Sequence, residues 1–184
     1  EDKFLLAYLS KQSNKIVNIQ NLTDKQHKPL QINAHKSEIT YFKFSESSNM
    51  LATCSEKGTI IRIFHTLTGD LIKELRRGSE QISIDWMEFS YNDEMILCRS
   101  KKGTIHLFNL KMKNNYLPNK KNKKLSIGSL FKKMLPKYFS SEWSFAHFYF
   151  PNKKTISIFS KDSKHIIVLD FQGMYYKIHF ATND

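Results

Sequence analysis

Two adjacent arginines, Arg76 and Arg77, stand at the end of an apolar run, immediately before Gly78. Guanidinium groups stay charged at any working pH and bind phosphate through two parallel hydrogen bonds. Neighbouring residues on a β-strand point to opposite faces of the sheet. If this run is a strand, the two arginines therefore anchor two separate anion sites, one on each face.

Hydroxyl and imidazole side chains accompany the arginine pair in two matched sets, each with a serine and a threonine around a Lys-Gly turn and a nearby histidine. All of these groups can donate hydrogen bonds to phosphate oxygens, and histidine does so more strongly when protonated. Taken singly, serine and threonine beside glycine are ordinary turn formers, and an arginine pair often only blunts a sheet edge. Two sets in register favour binding. The first predicted site comprises His35, Ser55, Thr59, Arg62 and Arg76, and the second comprises Arg77, Ser100, Thr104 and His106.

The elements that hold these residues repeat with a period of 45. Phe44-Ser45 recurs as Phe89-Ser90, and the run 55–60 recurs as 100–105; after Ile105 one residue is missing, so Arg62 corresponds to His106. Each copy reads as short β-branched and aromatic strands separated by Ser-Asn, Lys-Gly and Thr-Gly breaks. A period of 40–45 residues with four such strands is typical of a propeller blade. We predict an all-β fold, a β-propeller of the WD-repeat type, present as an incomplete ring of about three and a half four-stranded blades.

The predicted blades follow from this period. Residues 1–30 are the outer part of an earlier blade, 31–78 form the blade that ends in the arginine pair, 79–143 form the next blade, and 144–184 form the last. The chain begins with Glu1 and enters an apolar strand at once, so we expect a piece of a longer protein. An incomplete ring leaves unpaired edges. We therefore expect terminal edge strands that either pair with another chain or are unusually exposed.

A long basic loop, residues 111–141, interrupts the second full blade. The net charge is +12, and nine lysines with no acid lie between Lys111 and Lys137. Such a charge predicts an acidic partner, and so long a connection is either functional or disordered. Its first half reads as a flexible arm, whereas its second half has apolar residues at helical spacing with lysines off the stripe, which favours a membrane-surface helix. The predicted inserted residues are Ile127, Leu130, Phe131, Met134 and Leu135.

Alternatives for this loop are a helix packed back on the propeller and a disordered insert. The aromatic residues that follow it resume the strand pattern, so we expect them in the core rather than against lipid. They are Trp143, Phe145, Phe148 and Tyr149.

Several functional classes are disfavoured by composition. No window of 18 apolar residues and no secretory leader is present, which predicts a cytosolic protein. Cys54 and Cys98 lie in apolar runs and are expected as buried reduced thiols. No nucleophile–base pair, carboxylate dyad or metal-ligand spacing stands out, so we predict neither an enzyme nor a cofactor or metal site.

The motifs together resemble the PROPPIN (WIPI-like) family over essentially the whole chain, as the C-terminal half of its propeller. The resemblance is carried by Leu75-Arg76-Arg77-Gly78, with leucine for the commoner phenylalanine, by the runs 51–64 and 100–108, and by the run 135–146. It implies two pockets at the nine residues above for phosphatidylinositol 3-phosphate and the 3,5-bisphosphate. It also implies a sixth-blade loop that inserts into the bilayer, here the basic loop.

The resemblance further implies work in autophagy and endolysosomal traffic. The protein would be cytoplasmic, peripherally associated with autophagic, endosomal or vacuolar membranes, and would recruit autophagy proteins such as a lipid-transfer partner. One alternative is a WD-repeat scaffold that binds only proteins. Nucleic-acid binding through the lysines is disfavoured, because the aromatic residues there have helical spacing rather than that of a strand-face stacking platform.

Overall fold

The structure is a computed structural model that describes residues 4–24, 28–111, 141–150 and 154–181. These ranges contain fifteen β-strands and no helix. None of the described residues belongs to a helix that could span a membrane. The predicted all-β fold is confirmed.

The strands are short and rich in β-branched and aromatic residues, as strand propensity requires. The first eight are β1 Leu5–Ser10, β2 Ser13–Asn21, β3 Leu30–Asn33, β4 Ile39–Phe44, β5 Met50–Ser55, β6 Ile60–His65, β7 Leu71–Arg76 and β8 Ile84–Phe89. The others are β9 Met95–Ser100, β10 Thr104–Asn109, β11 Glu142–Trp143, β12 Ala146–Tyr149, β13 Thr155–Phe159, β14 His165–Asp170 and β15 Tyr175–His179.

The strands form four sheets in chain order. The first sheet is β1-β2-β3, the second is β4-β5-β6-β7 with β11 beyond β7, the third is β8-β9-β10-β12, and the fourth is β13-β14-β15. All neighbours are antiparallel except β11, which runs parallel to β7. Three apolar clusters join consecutive sheets face to face. This stacking is that of propeller blades, and the ring is incomplete as predicted.

An identical hairpin recurs in three of the sheets, at residues 45–50, 90–95 and 160–165. In each, the first serine's hydroxyl oxygen accepts a hydrogen bond from the backbone N–H five residues on. In each, the fourth residue has a left-handed φ near +60°, which the tight turn requires. These residues are Ser48, Asp93 and Ser163. The third hairpin was not recognised from the sequence, because the basic loop lengthens the spacing between the second and third copies.

The blade boundary expected at residue 144 lies inside a sheet. Strand β12 hydrogen-bonds to β10, with Leu107 opposite Ala146 and Ile105 opposite Phe148, and so completes the third sheet. The basic loop is therefore inserted between the third and fourth strands of one blade. Strand β3, which is only four residues long, was not predicted.

Both cysteines are buried and free, as predicted. Burial raises the pKa of the Cys54 thiol to about 12, so it stays protonated and unreactive at neutral pH.

Candidate anion-binding grooves

The arginine pair lies at the end of β7, where the second sheet separates two grooves. Ile61, Ile63 and Leu75 pack against the third sheet. Because side chains alternate along a strand, Arg62 and Arg76 face the other way, towards the first sheet. Arg77, the residue after β7, lies on the side of the third sheet, where it donates to the Ile82 carbonyl just before β8. The structure thus places the two arginines on opposite faces.

The groove between the first and second sheets has a volume of about 660 Å³. His35, Lys36, Arg62, Lys73 and Glu74 line it. Lys36 and Lys73 were not singled out from the sequence. Lys36 follows the predicted ligand His35, and Lys73 precedes Glu74. The predicted ligands Ser55, Thr59 and Arg76 do not line this groove.

A hydrogen-bond network holds Arg62 in this first groove. Its Nε donates to Glu74 Oε2 at 2.9 Å, and its Nη1 donates to the Ala34 carbonyl at 2.7 Å. Nη1 also lies 3.4 Å from His35 Nδ1, while His35 Nε2 lies 2.9 Å from the Thr53 hydroxyl. A neutral imidazole that accepts at Nδ1 and donates at Nε2 satisfies both contacts. His35 thus positions Arg62 in this state.

The charges of the groove agree with that assignment. Burial first, and the Arg62 charge second, lower the pKa of His35 from 6.5 to about 4, so the ring is neutral at pH 7. The Arg62 charge is compensated by Glu74. An anion that enters the groove therefore meets a cation already paired with a carboxylate, beside the side chain of Lys36.

Arg76 is buried, and its Nε donates to the hydroxyl of Ser141 at 2.9 Å. Ser141 directly precedes β11, in which Trp143 pairs with Arg76. Lys73 Nζ donates to the carbonyls of Asn109 and Lys111 at 3.2 and 3.3 Å, and to Glu142 Oε2 at 3.1 Å. Both ends of the basic loop are therefore fastened to β7. The predicted inserted residues lie outside the described part of the chain.

Arg77 binds the protein's own backbone. Its Nε donates to the Gly58 carbonyl at 2.9 Å, and its Nη2 donates to the carbonyls of Glu80 and Ile82 at 2.6 and 3.0 Å. Gly58 has φ +58°, and an added Cβ would lie 1.9 Å from the Ile82 oxygen, so only glycine fits this turn. Within the described residues, Nη1 of Arg77 has no hydrogen bond and is free to meet a ligand.

Around Arg77, the second predicted set is only partly assembled. Ser100 is buried, and His106 Nδ1 lies 3.2 Å from the Ser144 hydroxyl. Burial first, then the charges of Arg77 and His147, lower the pKa of His106 to about 4. The His147 ring, which sequence reasoning missed, lies 5.9 Å from that of His106. The pairing of β12 with β10 places His147 opposite His106, and no local sequence pattern records that pairing.

The two hydroxyl sets are not equivalent by position. In the second sheet Cys54 pairs with Ile61, and in the third sheet Arg99 pairs with Ile105. Arg99 follows Cys54 by 45 residues, but Ile105 follows Ile61 by only 44. The missing residue therefore precedes Ile105 rather than following it, as the sequence comparison had it. By pairing, Thr104 corresponds to Ile60 and not to Thr59.

The aromatic residues after the loop correct another expectation. Trp143, Phe145 and Tyr149 are exposed, and only Phe148 packs towards the core between the third and fourth sheets. The reason is their position, because β11 and β12 are the outermost strands of their sheets and one face of each is uncovered. Among the described residues, no group of His, Cys, Asp or Glu is arranged to hold a metal ion.

Curated relatives match parts of this chain. It is 34% identical to autophagy-related protein 18 of Kluyveromyces lactis over 107 residues, which are 58% of this chain and 21% of that protein. It is 55% identical to autophagy-related protein 18 of Candida glabrata over 38 residues, 21% of this chain and 8% of that protein. The chain therefore spans about a fifth or less of the length of these relatives.

Solved structures match nearly the whole chain. Kluyveromyces lactis Hsv2 with a complete loop 6CD superposes with a TM-score of 0.69 at 27% identity, over 92% of this chain and 52% of that one. KlAtg21 in complex with the coiled coil of AgAtg16 gives 0.69 at 24% identity, over 97% and 50%. The chain thus covers about half of each.

A family model gives the assignment. The model described as PROPPIN matches residues 3–144, more than half of the chain. That range contains strands β1 to β11 and the Leu-Arg-Arg-Gly motif. The chain belongs to the PROPPIN family.

Proposed function

We propose that this protein is a phosphoinositide-binding peripheral membrane protein that recognises phosphatidylinositol 3-phosphate and the 3,5-bisphosphate. The observation that carries the proposal is that Arg76, the last residue of β7, and Arg77, the next residue, lie on opposite sides of the second sheet, beside the ends of a loop with nine lysines. The nine residues predicted from the sequence are the proposed ligands, with Lys36 and His147 added. His35 acts mainly by holding Arg62.

The first groove suits a phosphate chemically. Arg62 and Lys36 present two cations to a space that also contains Glu74, while the ammonium of Lys73 is held by Glu142. A phosphate group that takes over the hydrogen bonds of Arg62 displaces the carboxylate, and the interaction of a charged pair in a half-buried groove is stronger than in water. In the second groove, Arg77 offers Nη1 while its other nitrogens keep the backbone in place.

Membrane attachment needs more than one weak site. Each lysine near an anionic surface contributes about 1 kcal/mol and is screened within a Debye length. We propose that Ile127, Leu130, Phe131, Met134 and Leu135 insert as one face of a helix, in addition to headgroup binding. Two linked sites and a loop raise the apparent affinity through effective concentration.

The proposed setting is autophagic and endolysosomal membrane traffic, at autophagic, endosomal or vacuolar membranes. The relatives named autophagy-related protein 18 support this setting. The complex of KlAtg21 with a coiled coil supports a role in recruiting protein partners, and a lipid-transfer protein is a further proposed partner. We place the protein among binding modules rather than enzymes, without cofactor and without nucleic acid as a ligand.

Vesicle flotation tests the proposal. Phosphatidylcholine vesicles with 5% phosphatidylinositol 3-phosphate are expected to carry the protein upward at physiological salt, whereas vesicles without it are not. Lys161→Thr removes an exposed cation far from β7 and should float like the parent. Equal flotation on both kinds of vesicle would refute headgroup recognition.

A second candidate is a protein-binding scaffold. The outer faces of the first and fourth sheets expose large apolar side chains, among them Leu6, Tyr8, Ile156 and Leu169. The predicted pairing with another chain would cover such faces, and it is tested by the oligomeric state in sedimentation. Absence of phosphoinositide binding together with a stable complex would favour this function.

A further inference from the structure

We propose that the exposed aromatic side chains Trp143, Phe145 and Tyr149, the rim aromatics, form a second membrane contact that lies in the headgroup region of the bilayer. The inference rests on the proposed function. It adds a contact made by the folded edge of two sheets, distinct from the basic loop.

The first argument is exposure on a regular element. Trp143 is 51% exposed, Phe145 42% and Tyr149 63%. Trp143 lies in the outermost strand of the second sheet and Tyr149 in that of the third, while Phe145 lies at the bend between them, with its ring 6.3 Å from that of Phe180. Burying the exposed part of large aromatic side chains is favourable, so a surface that covers this edge would gain stability.

The second argument is position relative to the grooves. Trp143 pairs with Arg76 on the outer edge of the second sheet, and Tyr149 pairs with Thr104 on the outer edge of the third. One rim aromatic therefore stands opposite a proposed phosphate ligand of each site. A headgroup held at either site brings its bilayer surface to the same edge of the protein.

The third argument is side-chain chemistry. Tryptophan and tyrosine carry an apolar ring with a polar tip and concentrate at the membrane–water interface. Arg76 and Arg77, beside them, are buried and are the proposed headgroup ligands, so a phosphoinositide held there has its own bilayer next to the rim aromatics. The acid within β11, Glu142, is paired with Lys73. Continuity with the proposed headgroup sites thus favours a bilayer over a protein groove as the occupant.

The chain supplies its own reporter. It has two tryptophans, Trp143 and Trp86. Trp86 is half-buried and donates through Nε1 to the Ser157 carbonyl at 2.8 Å, away from the rim. Trp86→Phe therefore leaves Trp143 as the sole indole, and Trp143→Phe is the matched control. If Trp86→Phe folds poorly, the difference between the spectra of the parent and of Trp143→Phe isolates the same signal.

The experiment adds vesicles of brominated phosphatidylcholine, with or without 5% phosphatidylinositol 3-phosphate, and records fluorescence. Trp143 should shift to shorter wavelength and be quenched by bromine only with the phosphoinositide, while Trp86 should not respond. Tyr149→Ser should weaken vesicle binding about fivefold, as for losing partial burial of one aromatic ring. Tyr175→Ser, an equally exposed aromatic on the fourth sheet, should leave it unchanged.

The outcomes separate the two proposals. Loss of phosphoinositide-dependent flotation in the parent overturns the proposed function itself. Flotation that persists while Trp143 is neither shifted nor quenched overturns only the rim contact, and the aromatics are then a surface for a protein.

Discussion

The two grooves beside β7 hold their arginines in opposite ways. In the first, Arg62 is bonded to the Glu74 carboxylate and braced by neutral His35, so its network is made of side chains. In the second, Arg77 is bonded to three backbone carbonyls around the Gly58 turn. Arginines of the same proposed role therefore differ in how much of the fold depends on them. Changes in the first groove should alter binding, whereas changes in the second should alter binding and stability together.

The largest effect is expected at the turn that Arg77 holds. Gly58→Ala should lower the free energy of unfolding by about 4 kcal/mol, because a left-handed residue would be strained and its Cβ would meet the Ile82 carbonyl. Gly173→Ala is the matched control, since Gly173 has φ +84° but open space around its Cβ position. Urea unfolding measures both. Equal losses would show that the close approach to Ile82 is unimportant.

Replacing Arg77 tests the same turn, because Arg77 joins the carbonyls of Gly58, Glu80 and Ile82. We call this set of hydrogen bonds the clamp. Arg77→Thr should cost about 3 kcal/mol of folding stability, since it leaves three carbonyls without their charged donor. Arg76→Thr should cost less, because the Ser141 hydroxyl that accepts from its Nε can rotate to another partner, whereas the backbone carbonyls bound by Arg77 cannot. Thermal melts of the two variants compare them. A greater loss for Arg76→Thr would reverse the assignment of the clamp.

The free energy of unfolding should depend on pH, because buried neutral His35 holds Arg62 in the first groove. The pKa of His35 is about 4 in the folded state and near 6.5 when unfolded, so on acidification the unfolded state takes up the proton first. Stability should fall as the pH drops from 6.5 to 4 and level off below. His35 should account for roughly 2 kcal/mol of the loss between pH 7 and 4.5.

His35→Gln is the control for that loss. Its stability should depend less on pH than that of the parent, with a remaining loss of the same sign from His106, whose pKa is also lowered to about 4. Urea midpoints at the two pH values give the comparison. An unchanged pH slope in His35→Gln would contradict the buried neutral brace.

The smallest effect is expected from the carboxylate of the first groove. Glu74→Gln should tighten phosphoinositide binding about fivefold, or about 1 kcal/mol, because the anion no longer competes with a charge at Arg62. Glu46→Gln alters an exposed acid in the hairpin at residues 45–50, away from both grooves, and should leave binding unchanged. Vesicle titration compares the two variants with the parent. Weaker binding by Glu74→Gln would mean that the carboxylate orients Arg62 for the ligand.

Much of the fold could be predicted because it is local. The 45-residue period and strand alternation gave the all-β sheets, and β4 and β13 have the predicted bounds. Alternation also placed Arg76 and Arg77 on opposite faces. The matching of Thr59 with Thr104 was wrong, because a one-residue deletion can be placed on either side of Ile105 until strand pairing fixes it.

The rest depends on contacts between distant segments. Whether β12 joins the third or the fourth sheet is decided across the basic loop, and no local pattern records it. The same connection determines that Trp143 and Tyr149 lie on outer edges and are exposed. The clamp of Arg77 joins the Gly58 turn to the carbonyl of Ile82, and an arginine donating to backbone oxygens has no sequence signature.

The central claim is that Arg76 and Arg77 anchor two separate anion sites, and counting those sites tests it most directly. Isothermal titration with inositol 1,3-bisphosphate, the soluble headgroup of phosphatidylinositol 3-phosphate, should give two sites per chain. Arg76→Thr should lose or weaken one of them by about ten- to a hundredfold and leave the other intact, as expected for one hydrogen-bonded charge. A single site in the parent, or two unchanged sites in a folded Arg76→Thr variant, would contradict the account.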